Sequence, residues 1–163
     1  MRQACYIFVL AIMLHSSAYA GSLRGVKHSV QQGVIASRAE PTLLVAYRAE
    51  LEIVDSVFSP IAQLALATNG TSQLSIVPRF SVGASARLDV FEFVPYVSGR
   101  FGADLVDGFE VRGVLSVGVQ RIYQDGWFYH IELGADQPLT QPNGIGGILL
   151  FGFGIVTNFD ELV

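Results

Sequence analysis

A strict alternation of apolar and polar side chains constrains this chain more than any other feature of its sequence. From residue 74 to residue 90, every even-numbered position is apolar or proline, while the odd-numbered positions are mostly serine, glycine, arginine or aspartate. Successive side chains of a β-strand point to opposite faces, so this period predicts strands with one apolar face. The same period recurs in 93–105, 109–123 and 127–135, and a glycine-spaced version occupies 145–159.

Glycine-containing turns separate these segments. Tripeptides that end in Asn-Gly or Asp-Gly lie at 68–70, 106–108 and 124–126. A three-residue hairpin loop usually contains a left-handed residue, a conformation that glycine adopts most readily. The sequence therefore predicts consecutive antiparallel strands joined by short hairpin turns.

The turns also predict which side chains face each other. If the loops have three residues, Gly102 lies opposite Arg112 and Gln120 lies opposite His130, so polar side chains share one face. A two-residue loop would put Arg121 opposite His130 and mix the two faces. Turn chemistry and face pattern therefore agree on the register.

The pattern is less regular in the first third of the chain. Residues 41–53 alternate as a strand would, although some of their apolar side chains also have helical spacing. Residues 59–70 fit a short capped helix, but strands are favoured because the neighbouring strands need hairpin partners. Residues 21–40 fit a first strand and an amphipathic helix about equally well.

The first twenty residues have the features of an export signal. A basic start at Met1-Arg2 precedes nine apolar residues, Tyr6–Leu14, and a small-x-small pattern that ends at Ala20. Nine residues are too few for a bilayer-spanning helix, which needs about 20. Cleavage after Ala20 would remove Cys5 and leave the mature chain without a thiol. The predicted organisation is a signal peptide at 1–20, an N-terminal segment at 21–40, a β-barrel at 41–159 and a tail at 160–163.

Composition narrows the class of protein. Only 15% of the residues are charged and 51% are hydrophobic, whereas an average soluble domain has roughly 25% charged residues. Such a composition is the opposite of a disordered chain, and the net charge of −4 is unlike the basic surface that binds nucleic acid. An unusually apolar soluble domain and a membrane protein remain, and nucleic acid is not expected as a partner.

Two architectures have one apolar and one polar face on every strand. A soluble barrel turns the apolar face inward, whereas a transmembrane barrel turns it towards lipid and fills its interior with polar side chains. Four features of the sequence favour the transmembrane barrel. They are strands of 13 residues or more, aromatic residues near strand ends, nearly balanced charges on the polar face and the lack of lysine after Lys27. The sequence therefore predicts an all-β, antiparallel, up-and-down transmembrane β-barrel of eight strands, in which residues 24–37 supply the eighth.

This architecture assigns the charged and aromatic side chains to two regions. Inward charges are expected to form an interior polar network, and aromatic residues near strand ends are expected to lie at the membrane interfaces. The predicted network is Arg48, Glu50, Arg79, Arg87, Arg100, Asp104, Glu110, Arg112, His130 and Glu132. The predicted interface aromatics are Phe93, Phe109, Tyr123, Trp127 and Phe159.

The export signal, the alternating strands and the last strand resemble the small, eight-stranded outer-membrane β-barrel proteins of Gram-negative bacteria. The resemblance covers roughly residues 41–159, and the run from Gly154 to Phe159 is similar to the family's closing strand, whose final aromatic helps the assembly machinery recognise it. The chain departs from that pattern at Thr157, where a larger apolar residue is usual, and by continuing to Val163. The resemblance implies an outer-membrane location, with membrane lipid and the barrel-assembly machinery as partners.

Candidates for chemistry are few. His130 and Glu132 share the inward face and are the candidate catalytic pair of a lipid-A-modifying barrel enzyme. Ser116 lies two rungs from His130 in the predicted register, which is poor geometry for a nucleophile and its base, so membership of the polar network is favoured for both candidates. With two histidines and no cysteine in the mature chain, we expect no metal site and no cofactor.

The favoured function is that of an outer-membrane barrel protein with a structural or surface role. Side chains fill the interior of a barrel of about eight strands, so an open pore is not expected. The alternatives left open are a secreted or periplasmic soluble lipid-binding barrel and the lipid-A-modifying enzyme. The sequence identifies no reaction and does not indicate the oligomeric state.

Overall fold

The computed structural model describes residues 23–37, 41–53, 56–69, 75–88, 92–105, 110–140 and 144–158. The strands are β1 (Leu23–Ala36), β2 (Pro41–Ile53), β3 (Phe58–Asn69), β4 (Ile76–Arg87), β5 (Phe93–Asp104), β6 (Glu110–Ile122), β7 (Trp127–Pro138) and β8 (Gly146–Asn158). Each strand pairs antiparallel with the next, and β8 pairs with β1, so the strands close into a barrel. The predicted all-β, up-and-down barrel of eight strands is confirmed.

β1 is the strand that closes the barrel. From Gly25 to Ala36 it pairs with both β2 and β8. Of the two alternatives for residues 21–40, the described part is a strand, because the open edges of β2 and β8 both need a hydrogen-bonding partner.

The predicted signal peptide at 1–20 and tail at 160–163 lie outside the described residues. No helix among the described residues has the length and apolar character needed to cross a membrane.

The register of β5, β6 and β7 agrees with the prediction. Gly102 lies opposite Arg112, and Gln120 lies opposite His130, which confirms both predicted pairs. Gly126 lies in the β6–β7 turn with a φ of 82°. This left-handed backbone conformation favours glycine, as the turn chemistry requires.

The connection between β3 and β4 differs from the prediction. A three-residue loop at 68–70 is wrong, because β3 continues to Asn69 and Thr68 pairs with Ile76. Hairpin loops of any odd length keep the apolar faces on the same side of the sheet, so the face pattern alone does not set the length of this loop. The predicted turn at 106–108 lies outside the described residues.

The strands are tilted against the barrel axis. A path along paired residues leaves β5 at Val94 and returns to β5 at Asp104, ten residues further along the strand. This stagger sets the tilt, and in a barrel of eight strands it encloses a lumen just wide enough for side chains to fill. The path runs through the inward-facing residues Val94, Gln120, His130, Gly152, Gln31, Ala46, Ala65, Arg79 and Asp104.

Apolar side chains face outward and polar side chains face inward. On β6, Leu115 and Val117 are 65% and 56% exposed, whereas Ser116 between them is 2% exposed. We call the end of the barrel at which β1 begins and β8 ends the terminal end. Towards the opposite end, the interior also holds an apolar cluster of Ile35, Leu44, Ala46, Ala65, Ala67, Ile148 and Leu150.

Candidate functional site in the barrel interior

Glu132 on β7 is the centre of the interior polar network. Its side chain is fully buried and accepts hydrogen bonds from Arg48 at 2.8 Å, Ser116 at 2.8 Å and Tyr96 at 3.1 Å, and a further one from Arg100. The two guanidinium groups come from β2 and β5, which are not neighbours in the sheet. The carboxylate therefore connects distant walls of the barrel across the lumen.

Arg48 extends this network towards β4. Its Nη2 donates to Glu50 at 2.7 Å, and Glu50 in turn accepts a hydrogen bond from Ser85 at 2.9 Å. The guanidinium carbon of Arg48 also lies 5.4 Å from the centroid of the Tyr96 ring, a cation–π distance. Arg48 is thus a buried cation held by two carboxylates and an aromatic face, the condition under which burial of a charge is tolerated.

His130 belongs to a chain of side-chain amides. Its Nε2 lies 2.6 Å from the amide nitrogen of Gln31, which makes the imidazole nitrogen the acceptor. The amide nitrogen of Gln63 donates to the carbonyl oxygen of Gln31 at 3.0 Å, and Arg100 donates to Gln63. Gly152 lies opposite His130 on β8, and a Cβ atom there would overlap the imidazole ring. The glycine therefore makes the room that the histidine occupies.

A second cluster lies near the terminal end. Lys27 on β1 and Arg87 on β4 both contact Glu52 on β2, at 2.9 Å and 2.7 Å. Lys27 is only 2% exposed. Two buried cations therefore share one carboxylate, which connects three strands at this level of the barrel.

A third cluster of charges lies near the opposite end. Arg79 contacts Asp104 at 2.9 Å and Asp136 at 3.3 Å. Arg112 contacts Asp136 and Glu110, both at 2.8 Å, and Asp104 at 3.5 Å. These residues come from β4, β5, β6 and β7, so the cluster connects this half of the barrel wall.

The inward charges of the described residues balance. Six cations and six carboxylates face the lumen and contact one another. The cations are Lys27, Arg48, Arg79, Arg87, Arg100 and Arg112, and the carboxylates are Glu50, Glu52, Asp104, Glu110, Glu132 and Asp136. The structure places every residue of the predicted network on this inward face. It adds Lys27, Glu52, Asp136, Gln31 and Gln63, none of which was in the predicted network.

His130 and Glu132 lie near each other but do not form a nucleophile–base arrangement. The hydroxyl of Ser116 donates to Glu132 and lies 2.7 Å from that of Ser98, whereas His130 contacts Gln31. A cavity of about 10 Å³ beside His130 has room for about one water molecule. Among the described residues, no three side chains of the metal-ligating types gather at one point.

A larger cavity of about 50 Å³ separates the Glu132 network from the charges near the opposite end. Its lining includes the apolar Leu44, Ala65 and Ile148 and the basic Arg79 and Arg100. Its volume corresponds to a few water molecules, since one water occupies about 10–15 Å³ by this measure. Among the described residues, this cavity therefore has room for solvent between the clusters and is far smaller than a lipid.

Aromatic side chains lie on the outside of the barrel at the terminal end, where β5 and β7 begin and β6 ends. Phe93, Tyr123 and Trp127 are 45%, 45% and 43% exposed. Exposed aromatic side chains at the ends of strands are typical of the girdles at membrane interfaces. The other predicted interface aromatics, Phe109 and Phe159, lie outside the described residues.

A comparison with solved structures agrees with this architecture, whereas comparisons of the sequence find no match. No family model matches the sequence, and no curated protein matches it. Among solved structures, the chain is similar to Neisserial surface protein A of Neisseria, with a TM-score of 0.56 and 16% sequence identity. The similarity covers 80% of this chain and 95% of the Neisserial one. At this level of identity the likeness is one of fold, and the chain has the same closed, eight-stranded antiparallel barrel.

Proposed function

We propose that this chain is an outer-membrane β-barrel protein with a structural or surface role and no open pore. The observation that carries the proposal is the cross-lumen contact of Glu132 with Arg48 and Arg100. Side chains from three separate strands meet there inside the barrel. An open channel needs a continuous water path, and this contact lies across it.

The outer face supports a membrane location. Large apolar side chains are exposed along all eight strands of the barrel, whereas soluble monomers rarely expose an apolar patch larger than a few hundred Å². Lipid accommodates such a surface, and paired interior charges avoid contact with hydrocarbon. The similarity in fold to Neisserial surface protein A, which is by name a surface protein, also supports this location, and so does the predicted export signal at 1–20.

The proposed partners follow from that location. Outer-membrane lipid would surround the apolar face, and the barrel-assembly machinery would insert the chain. The predicted closing strand from Gly154 to Phe159, with its final aromatic residue, supports the second partner.

The interior argues against the two alternative functions. A soluble lipid-binding barrel needs an apolar chamber, yet the lumen holds the ion pairs described above and a cavity of only about 50 Å³. A lipid-A-modifying enzyme needs its catalytic groups where lipid reaches them, yet His130 is 3% exposed and faces the lumen. Neither function is supported by the position of these residues.

Conductance across a planar bilayer tests the closed lumen. The refolded protein should add no steady ionic current to the bilayer. A variant with Arg48, Arg100 and Glu132 all replaced by alanine serves as the open control, because it removes the cross-lumen contact. A stable single-channel current from the wild-type protein would contradict the proposal, and recovery of the native chain as a detergent-free soluble monomer would contradict its location.

A further inference from the structure

An exposed pair of opposite charges lies on the outside of the barrel at the terminal end. Arg121, near the end of β6, contacts Glu92, which directly precedes β5. The guanidinium carbon lies 5.1 Å from the centroid of the Phe93 ring and 5.2 Å from that of Tyr123. Arg121 therefore faces outward between two aromatic rings.

The surroundings of this pair have the character of a membrane interface. Trp127 and Phe153 stack with their centroids 4.9 Å apart, and Tyr123 lies 6.0 Å from Tyr129. Aromatic rings of this kind sit at headgroup level in membrane barrels, with apolar side chains on one side and water on the other. On the proposed membrane location, Arg121 and Glu92 thus lie at the depth of lipid headgroups.

The two charges leave hydrogen-bonding capacity for a ligand. The contact with Glu92 uses Nη2 of Arg121, while a guanidinium carries five N–H donors in all. The side chains of Arg121 and Glu92 are 32% and 64% exposed, so a headgroup can reach both. The aromatic rings hold the guanidinium plane in place, which is how arginine is prepared to bind phosphate oxygens.

The presence of Glu92 selects the kind of headgroup. An arginine alone would favour an anionic lipid, but the neighbouring carboxylate cancels its charge and repels a second anion. A zwitterionic headgroup fits both groups, because its phosphate can accept from Arg121 while its ammonium donates to Glu92. We propose that Arg121 and Glu92 bind the phosphoethanolamine headgroup of a zwitterionic phospholipid, phosphatidylethanolamine, an inference that rests on the proposed membrane function.

Native mass spectrometry of the folded protein tests this site. The protein is first refolded into vesicles that contain equal amounts of phosphatidylethanolamine and phosphatidylglycerol, where a heat-dependent gel shift reports folding and insertion. It is then released from the vesicles together with its bound lipids, which the mass spectrum identifies. The wild-type protein should retain phosphatidylethanolamine over phosphatidylglycerol by about threefold, the modest preference expected of exposed charges. Equal retention of the two lipids, or preference for phosphatidylglycerol, would overturn the proposal.

Matched variants assign the preference to the two side chains. Arg121→Gln should lose the preference, and Glu92→Gln should shift it towards phosphatidylglycerol because the guanidinium then carries an uncancelled charge. Arg24→Gln removes an exposed arginine at the same end and should keep the wild-type preference. An unchanged preference in Glu92→Gln would overturn the site, and the wild-type comparison decides alone if a variant does not fold. Failure to insert into vesicles would instead refute the membrane function.

Discussion

Removal of the charge of Glu132 tests how strongly the interior network holds the barrel together. Glu132→Gln keeps the shape of the side chain but leaves Arg100 without a carboxylate, whereas Arg48 keeps its contact with Glu50. Loss of one partner of a buried ion pair costs about 3–5 kcal/mol. The glutamine oxygen can still accept a hydrogen bond from Ser116, so we expect a loss near the lower limit, about 3 kcal/mol in the free energy of unfolding.

Urea unfolding of the protein in vesicles, followed by tryptophan fluorescence and by the heat-dependent gel shift, measures this loss. Glu92→Gln is the matched control, because it makes the same chemical change at an exposed ion pair and should cost less than about 1 kcal/mol. Addition of Arg100→Met to Glu132→Gln should recover part of the loss, since it removes the unpaired cation. A loss below about 1 kcal/mol for Glu132→Gln would contradict a buried, ion-paired carboxylate, because Glu132 would then behave as an exposed group.

Three further predictions concern other parts of the interior. Gly152→Ala should destabilise the barrel by about 1–3 kcal/mol in urea unfolding, because the new methyl group displaces the imidazole of His130, and an unchanged midpoint would contradict that contact. Glu52→Gln should cost more than Lys27→Met in the same assay, because the first removes the carboxylate that both Lys27 and Arg87 contact, whereas the second leaves the contact between Arg87 and Glu52 intact; the reverse order would contradict the shared carboxylate. The double substitution of Ser98 and Ser116 by cysteine should form a cross-strand disulfide, seen as a reductant-sensitive gel shift, because the two hydroxyls are 2.7 Å apart; failure to form it would contradict the register.

The alternation of the chain was enough to predict the fold and the two faces. The strict period in 93–105, 109–123 and 127–135, together with three-residue turns at 106–108 and 124–126, predicted which residues of β5, β6 and β7 lie opposite each other. The strand prediction for 41–53 and 59–70 is also confirmed by β2 and β3. These features are local, because side-chain alternation and turn conformation depend on residues that are close in the chain.

The contacts across the lumen could not be predicted in the same way. Arg48 meets Glu132 only because the barrel closes with a stagger of ten residues, and stagger is a property of all eight strands together. Glu52 and Asp136 carry the same alternation signal as the predicted network, so that signal could have found them. Lys27 lies on β1, where spaced valines fit a helix as well as a strand, and its burial follows from the pairing of β1 with two neighbours.

In the proposed orientation, the apolar face of the barrel meets lipid while the charged face lines the lumen. The chain contains one tryptophan, and Trp127 faces outward whereas Phe128, the next residue, is buried inside. The double variant Trp127→Phe with Phe128→Trp therefore moves the fluorophore from one face to the other by a single position. In vesicles of brominated phospholipid, we predict strong quenching of the native tryptophan and little quenching in the double variant. Strong quenching in the double variant, with little in the wild type, would instead mean that the charged face meets lipid and the apolar face lines the lumen.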